Sequence, residues 1–306
     1  MKIIVAGLGV QGNKRRKHAG ADFVASVDPV NTEAEYRRIE DVPLSDYDAV
    51  LACVPDQAKI GLLRYLLSHG KHVLVEKPLW TERDDEVIAL QALARSKRAI
   101  CYTAYNHRFE PHFVRMRDLI SSGALGRIYS CRMFYGNGTA RLVRDSAWRD
   151  RDAGVLPDLG SHLLDTCRYW FGNLPDSFKL LAVNRFENRA PDHVIIGTED
   201  NTPRLELEMT LCMWRNHFTC DVLAEKGTAH IESLCKWGPS IFTHRERVLP
   251  SGRPPETQVT LVQDDPTWAL EYAHFKGLIA KGVETDLSQD LWLQQTLRRL
   301  GAGATK

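Results

Sequence analysis

Three groups of residues in this chain have the types and spacing to do chemistry. In Lys71-His-Val-Leu-Val-Glu76-Lys77-Pro78 an apolar run ends in two charges and a proline. If the run is a strand of a parallel sheet, its carboxyl end lies at the crevice where doubly wound sheets bind ligands. Glu76 and Lys77 there are either ligand contacts or a salt bridge capping the strand. The second group is Asp158-Leu-Gly-Ser-His162-Leu-Leu-Asp165. A helix starting near Asp158 puts Asp158 and His162 four apart on one face, with Asp165 a step further along. A carboxylate beside an imidazole raises its basicity and orients it, as a general base requires. The same types could ligate a metal, but no third ligand stands at a convincing spacing, and none is assigned.

The third group is Gly7-Leu-Gly9-Val-Gln-Gly12, which fits G-x-G-x-x-G between an apolar run and a helical stretch. Asp28 closes the next apolar run, 21 residues beyond Gly7. In this pattern the first glycine permits a tight turn, the second lets backbone N–H groups approach a pyrophosphate, and the third allows helix and strand to pack closely. The pyrophosphate then meets the positive end of the helix. Asp28 would accept hydrogen bonds from the adenosine ribose and repel a 2′-phosphate. Pro29 and Val30 follow it with no arginine directly after, so the reading is NAD in preference to NADP.

These residues need a frame. Lys2–Ala6, Phe23–Val27, Ala49–Val54, His72–Val75 and Ile100–Ala104 read as short strands buried on both faces. Between them, Gln57–His69 aligns Ile60, Leu63, Leu66 and Leu67 on one helical face, with Asp56 as N-cap and Gly70 at the C′ position. Strands alternating with helices imply right-handed βαβ units and a parallel sheet. From about residue 127 the period changes to two. Arg204–Leu211 alternates without a fault, and His217–Val222 and Gln258–Val262 do much the same, which is how antiparallel strands with one packed face read. Helical patterns around Trp268–Ile279 and Asp286–Leu300 close the chain. The expected architecture is an α/β Rossmann domain over residues 1–120. A C-terminal α+β substrate-binding and oligomerisation domain, with a large, open, mostly antiparallel sheet, is expected over residues 121–306.

Composition narrows the function classes. Forty basic residues against thirty-nine acidic ones leave a net charge of +1, so neither nucleic acid nor a membrane surface is expected as partner. The run Lys14-Arg-Arg-Lys17 reads as a solvated helix face. No apolar stretch reaches the roughly 18 residues of a membrane span, and the N-terminus lacks the pattern of a signal peptide. The seven cysteines are an odd number without a C-x-x-C pair, and read as free thiols of a soluble cytoplasmic protein.

Together, the glycine turn, Glu76-Lys77-Pro78, Asn106-His-Arg-Phe-Glu-Pro111, Trp148-Arg149 and Asp158-x-Gly160-x-His162-x-x-Asp165 resemble the Gfo/Idh/MocA family of oxidoreductases along nearly the whole chain. The resemblance implies a Rossmann domain followed by an open-faced sheet domain, with nicotinamide and substrate meeting in the cleft between them. It implies hydride transfer between NAD and a secondary alcohol or ketone of a sugar, polyol, sugar acid or nucleotide sugar. Lys77 would polarise the reacting hydroxyl, His162 would take its proton, and Asp158 would position the substrate and tune His162. Cofactor contacts are assigned to Gly7, Gly9, Val10, Gln11, Gly12, Asp28, Pro55, Glu76 and Lys77, and substrate contacts to Asn106, Arg108, Tyr135, Arg149 and Asp165. The family's Lys-Pro peptide is often cis. Another subunit often covers the open sheet, so a homodimer or homotetramer is expected. Two departures stand out. Ala153-Gly154-Val155 replaces a common triple glycine, and Lys59 occupies a position often held by histidine. Related alternatives are a glycosidase that oxidises its substrate transiently and a non-catalytic NAD-binding regulator.

Overall fold

The computed structural model describes the chain except for residues 147, 148, 175, 176, 200–202 and 306, so Trp148 of the sequence signature lies outside the described residues. In chain order the elements begin with β1 (Ile3–Ala6), α1 (Val10–Ala19), β2 (Phe23–Val27), β3 (Ala49–Ala52), α2 (Asp56–Ser68), β4 (His72–Glu76), α3 (Asp84–Ser96), β5 (Cys101–Ala104) and α4 (Pro111–Ser121). There follow β6 (Ile128–Gly136), α5 (Ala140–Arg144), α6 (Ser161–Phe171), β7 (Lys179–Asn184), β8 (His193–Gly197), β9 (Arg204–Thr210) and β10 (His217–Ala224). The chain continues with β11 (Gly227–Glu232), β12 (Ser240–Glu246), β13 (Glu256–Leu261), α7 (Thr267–Lys281) and α8 (Ser288–Ala304).

Two compact units result, Met1–Asn106 with Thr267–Gln294, and His107–Pro266 with Gln295–Lys306. The division therefore falls ahead of the expected 120/121 boundary, and a late segment returns to the first unit. Burial explains both differences. Tyr272 and Phe275 of α7 complete the core on one face of the first sheet, and Leu287 joins the core on the other. After Asn106, Phe113 of α4 is fully buried, its ring 5.0 Å from Phe218 and 5.2 Å from Trp170 of the second unit.

The first unit holds a five-stranded parallel sheet in the order β2-β1-β3-β4-β5. In β1, Ile4 and Ala6 enter one core while Ile3 and Val5 enter the other. Alternate side chains point to opposite faces, so a strand covered on both sides must be apolar throughout. This is a Rossmann-like domain, as the sequence pattern indicates. Helix α2 starts one residue earlier than expected, and Pro55, not Asp56, occupies its N-cap. Gly70 after it has φ +69°, the left-handed conformation that suits a C′ glycine. The basic run needs a larger correction. Lys14 and Lys17 are exposed, but Arg15 is only 2% accessible. It turns toward acidic partners that lie far away in sequence.

The second unit is built on an eight-stranded sheet in the order β13-β12-β11-β10-β6-β9-β8-β7. All pairs are antiparallel except β6 with β9. Leu205, Leu207, Met209, Phe218, Cys220 and Val222 line its buried face. The opposite face is polar: Arg132 reaches Glu206 at 3.1 Å and Glu208 at 3.5 Å, and His230 meets Asp221 at 2.6 Å. Strict alternation in β9 and β10 follows from this one-sided burial. All seven cysteines are unpaired thiols. Among the described residues no helix is long and apolar enough to cross a membrane.

A Cβ added at Gly12 would stand 1.8 Å from the Gly7 carbonyl oxygen. Gly12→Ala therefore forces the turn and α1 apart, and is expected to cost about 1–3 kcal/mol of overpacking strain. An unchanged denaturant midpoint would refute this packing role.

Candidate active site

The glycine turn joins β1 to α1, and its three glycines have separable structural reasons. Gly7 has φ +89°, and a Cβ there would stand 2.5 Å from the Cys53 carbonyl oxygen. Gly12 packs against the turn itself. Gly9, the N-cap of α1, has ordinary extended backbone, and a Cβ there would meet nothing within 4 Å. The space beside Gly9 is open, in front of the first turn of a helix whose N–H groups have no carbonyl to serve. Val10 and Gln11, the first helical residues, are exposed at the same end. A strand-to-helix turn with two glycines fixed by packing and one left open fits a dinucleotide pyrophosphate.

Asp28 follows the neighbouring strand β2. Its carboxylate accepts N–H groups from Leu8 at 2.8 Å, Val30 at 2.9 Å and Asn31 at 2.8 Å. Burial works to raise its pKa. The N–H groups of Asn31, Leu8 and Val30, with Arg37 nearby, outweigh that and hold it below the usual aspartate value. An ionised, immobilised carboxylate therefore stands beside the turn. Pro55 closes the loop after β3, whose Cys53 N–H donates to the Ala6 carbonyl at 2.7 Å.

The carboxyl end of β4 carries Glu76, Lys77 and Pro78, and the Lys77–Pro78 peptide is cis. Glu76 accepts from Arg15 Nε at 2.8 Å. Arg15 Nη1 donates to Glu271 of α7 at 2.6 Å, and the guanidinium lies 4.3 Å from the Trp268 ring centre. Burial opposes the Arg15 charge, but Glu271 and Glu76 overcome it and raise its pKa. Glu76 is thus engaged inside the protein, linking the lysine-bearing strand to the cofactor-side helix. Lys59, at the position where histidine is common, is 3% exposed. Its ammonium donates to the Pro78 carbonyl at 2.8 Å and pairs with Asp56 at 2.7 Å. Lys59 and Arg15 brace the Glu76-Lys77-Pro78 segment from two sides. Asn106 donates to Thr267 at the start of α7 at 2.8 Å.

In the second unit, the segment Leu156–Gly160 forms one π-helical turn that runs into α6. Asp158 therefore sits on the wider turn, not in a regular helix with His162 as the spacing predicts. Its carboxylate lies 3.6 Å from Arg149. Of the Ala153-Gly154-Val155 segment, only Gly154 is sterically required to be glycine. It has φ +53°, and a Cβ would stand 2.1 Å from the Pro191 carbonyl. Val155 is fully buried, and its N–H donates to that same carbonyl. Arg108 and Asp165, both assigned to substrate, form a fork together: Nε lies 3.0 Å from Oδ2 and Nη2 lies 2.5 Å from Oδ1. Asp165 is fully buried, so this charge-assisted pair anchors α6 to the segment after Asn106.

His162, 8% exposed in the first turn of α6, has a neighbour the sequence did not flag. The His107 ring stacks on it with centres 4.0 Å apart and planes 20° from parallel. Tyr135 flanks both rings, 5.5 Å from His107 and 6.1 Å from His162. Lys236 Nζ comes within 3.5 Å of His107 Nε2. His107 stands inside the quoted Asn-His-Arg-Phe motif, so its position was visible although its role was not. Lys59 was visible only as a departure from the family pattern and Arg15 only as part of a basic run, while Lys236 gave no local signal. Among the described residues no group of three or more His, Cys, Asp or Glu could hold a metal.

The first unit thus offers a turn with the geometry of a dinucleotide site and a lysine at the end of a parallel strand, and the second unit an imidazole on a helix start. Comparison with known proteins agrees. A family profile described as oxidoreductase family, NAD-binding Rossmann fold, matches residues 5–105, and one for the GFO/IDH/MocA C-terminal domain matches residues 113–230. The chain belongs to the Gfo/Idh/MocA family. It is 32% identical over 131 residues to an uncharacterized oxidoreductase of Schizosaccharomyces pombe, covering 42% of this chain and 35% of that protein. It is 27% identical over 175 residues to an inositol 2-dehydrogenase of Rhizobium meliloti, covering 54% of this chain and 52% of that protein. The chain thus spans about a third to a half of the length of these relatives. The structure of a levoglucosan dehydrogenase in complex with NADH has the same fold, with a TM-score of 0.82 at 18% identity, covering 100% of this chain and 96% of the other.

Arg15→Met is expected to strand Glu76 and Glu271 without their cation, and breaking such a buried set costs about 3–5 kcal/mol. Denaturant unfolding should show that loss, with part of it recovered in Arg15→Met/Glu271→Leu. A loss no larger than that of a surface substitution would mean that the network does not brace the site.

Proposed function

We propose that the protein is an NAD-dependent oxidoreductase that transfers a hydride between nicotinamide and a secondary alcohol or ketone of a sugar-like substrate. The observation that carries this reading is the link made by Arg15. The helix that opens at the glycine turn also holds, through Glu76, the strand end that presents Lys77. NAD, when bound, supplies the hydride chemistry at its nicotinamide. The protein's part is orientation and proton handling. Lys77 donates a hydrogen bond to the reacting oxygen and stabilises negative charge that develops on it. His162 takes the hydroxyl proton during oxidation and returns it during reduction. Asp158 orients the substrate and biases His162 from the π-helical turn, with Arg149 holding its carboxylate. Gly7, Gly9, Val10, Gln11, Gly12, Asp28 and Pro55 bind the dinucleotide, and Asp28 favours NAD over NADP. Tyr135 lines the substrate side.

The names of the relatives support a carbohydrate-like substrate, since they include inositol and levoglucosan dehydrogenases. In this reading Arg108 and Asp165 act on substrate indirectly, by fixing α6, and Asn106 acts by fixing the start of α7. A second copy covers the polar face of the eight-stranded sheet, which gives a homodimer or homotetramer. The free thiols suit a reducing, cytoplasmic setting.

The test is turnover with NAD or NADP over a panel of polyols, sugars, sugar acids and nucleotide sugars, with Lys77→Met and His162→Ala beside the wild type. NAD should be the better cofactor. Each substitution should lower kcat/KM by about 10²–10⁴-fold, the usual worth of a positioned acid or base, while NADH binding persists. Substitutions that leave turnover intact would sink the assigned roles. NADH binding without turnover, unaffected by either substitution, would favour a regulator, and glycoside cleavage without net NADH formation would favour the transient-oxidation glycosidase.

A further inference from the structure

The cations of the second unit are not equivalent. Arg108 is matched by Asp165 and Arg149 by Asp158. Lys236 is different. Its side chain is exposed, and among the described residues it joins no ion pair. Its ammonium contacts His107 Nε2 at 3.5 Å and lies 4.8 Å from the Trp237 ring centre and 5.9 Å from that of Tyr135. The backbone that presents it is fixed from behind. Cys235 N–H donates to Glu110 Oε1 at 3.0 Å and the Cys235 thiol to Oε2 at 3.0 Å, and both residues are buried. Surrounding protein desolvates the ammonium and lowers its pKa, against the opposing pull of Asp265, Glu110 and Cys235. A lysine that reaches solvent yet is poorly hydrated, on a rigid support and with aromatic faces beside it, has charge to give to an anion from outside.

Its position sets what that anion is. Lys236 meets one edge of His107, and His162 lies against the face of the same ring. A group held on Lys236 is therefore one imidazole away from the proposed acid–base residue. The ligand's anion and its reacting carbinol then belong to one small molecule, with few bonds between them. A single ammonium balances a single negative charge. A phosphoryl group carries up to two negative charges and three acceptor oxygens, more than one ammonium balances, and Arg108 and Arg149 are already matched by aspartates. From this we infer that Lys236 recognises a carboxylate on the substrate, so that the protein acts on a sugar acid in preference to a neutral sugar or a sugar phosphate. This inference rests on the dehydrogenase reading above and narrows its substrate class.

The test compares matched pairs on the NAD-loaded protein: D-glucuronate with D-glucose, D-galacturonate with D-galactose, and D-glucose 6-phosphate as the phosphoryl arm. Two readouts are taken, kcat/KM and the ligand-induced rise in melting temperature, for wild type, Lys236→Met and Lys236→Arg. In wild type at least one acid should exceed its neutral partner by about tenfold or more in kcat/KM, equivalent to about 1.4 kcal/mol. Lys236→Met should bring that ratio close to one, and Lys236→Arg should keep part of it. Equal losses on acid and neutral sugars would mean that Lys236 only supports the fold, and would overturn the inference. So would a wild type that prefers the neutral sugar or the phosphate, or one that responds to no acid in either readout. If uronates raise the melting temperature in a Lys236-dependent way but nothing is oxidised, carboxylate recognition stands and the dehydrogenase reading fails. If neutral sugars are oxidised without preference for acids, the reverse holds.

Discussion

The first unit depends on where one buried guanidinium points. Arg15 sits on the helix that opens at the glycine turn, and its two arms hold Glu76 at the end of β4 and Glu271 on α7. Three segments distant in sequence meet at this charge. Without the guanidinium, two carboxylates would face each other in a poorly hydrated interior, an arrangement far costlier than the exposed ion pairs elsewhere on the molecule. The network therefore does more than add stability. It ties the turn, the lysine-bearing strand end and the returning helix to one another, and Lys59 completes the support at the Pro78 carbonyl.

The second unit solves a different problem. The imidazole proposed as the acid–base group must be held in one orientation. The π-helical turn at Leu156–Gly160 widens the chain just before His162, and Arg108 clamps Asp165 three residues after it. The stacked His107 ring then closes one face of His162. The helix carrying the imidazole is held by ion pairing, and ring stacking helps to orient the imidazole itself.

Much of this could be read from the sequence wherever the signal is local. The five strands of the first unit, the glycine turn and Asp28 were legible because two-sided burial enforces apolar runs and tight turns enforce glycine. The signature that nominates Lys77, Asp158 and His162 is equally local, although the π-helical turn was not legible, since nothing in Leu156-Pro-Asp-Leu-Gly160 distinguishes it from an ordinary helix start. The failures share a cause. Arg15 reads as one of four solvated cations until Glu271, 256 residues away, is brought against it. His107 and Lys236 are 129 residues apart, and Arg108 reads as free until Asp165 meets it. Helix α7 was visible as a helix, but its return to the first unit depends on Tyr272 and Phe275 filling a core that no local pattern reveals.

The central claim is that the glycine turn is a dinucleotide site, and Gly9 permits a clean measurement of it. Its backbone is ordinary and a Cβ there would meet no protein atom within 4 Å, so Gly9→Val should leave the fold and melting temperature unchanged. The new side chain would occupy the space reserved for the pyrophosphate. NADH titrated by fluorescence into wild type and Gly9→Val should show the dissociation constant rise by about a hundredfold or more, close to 3 kcal/mol. Equal affinity in the two folded proteins would contradict the account at its root.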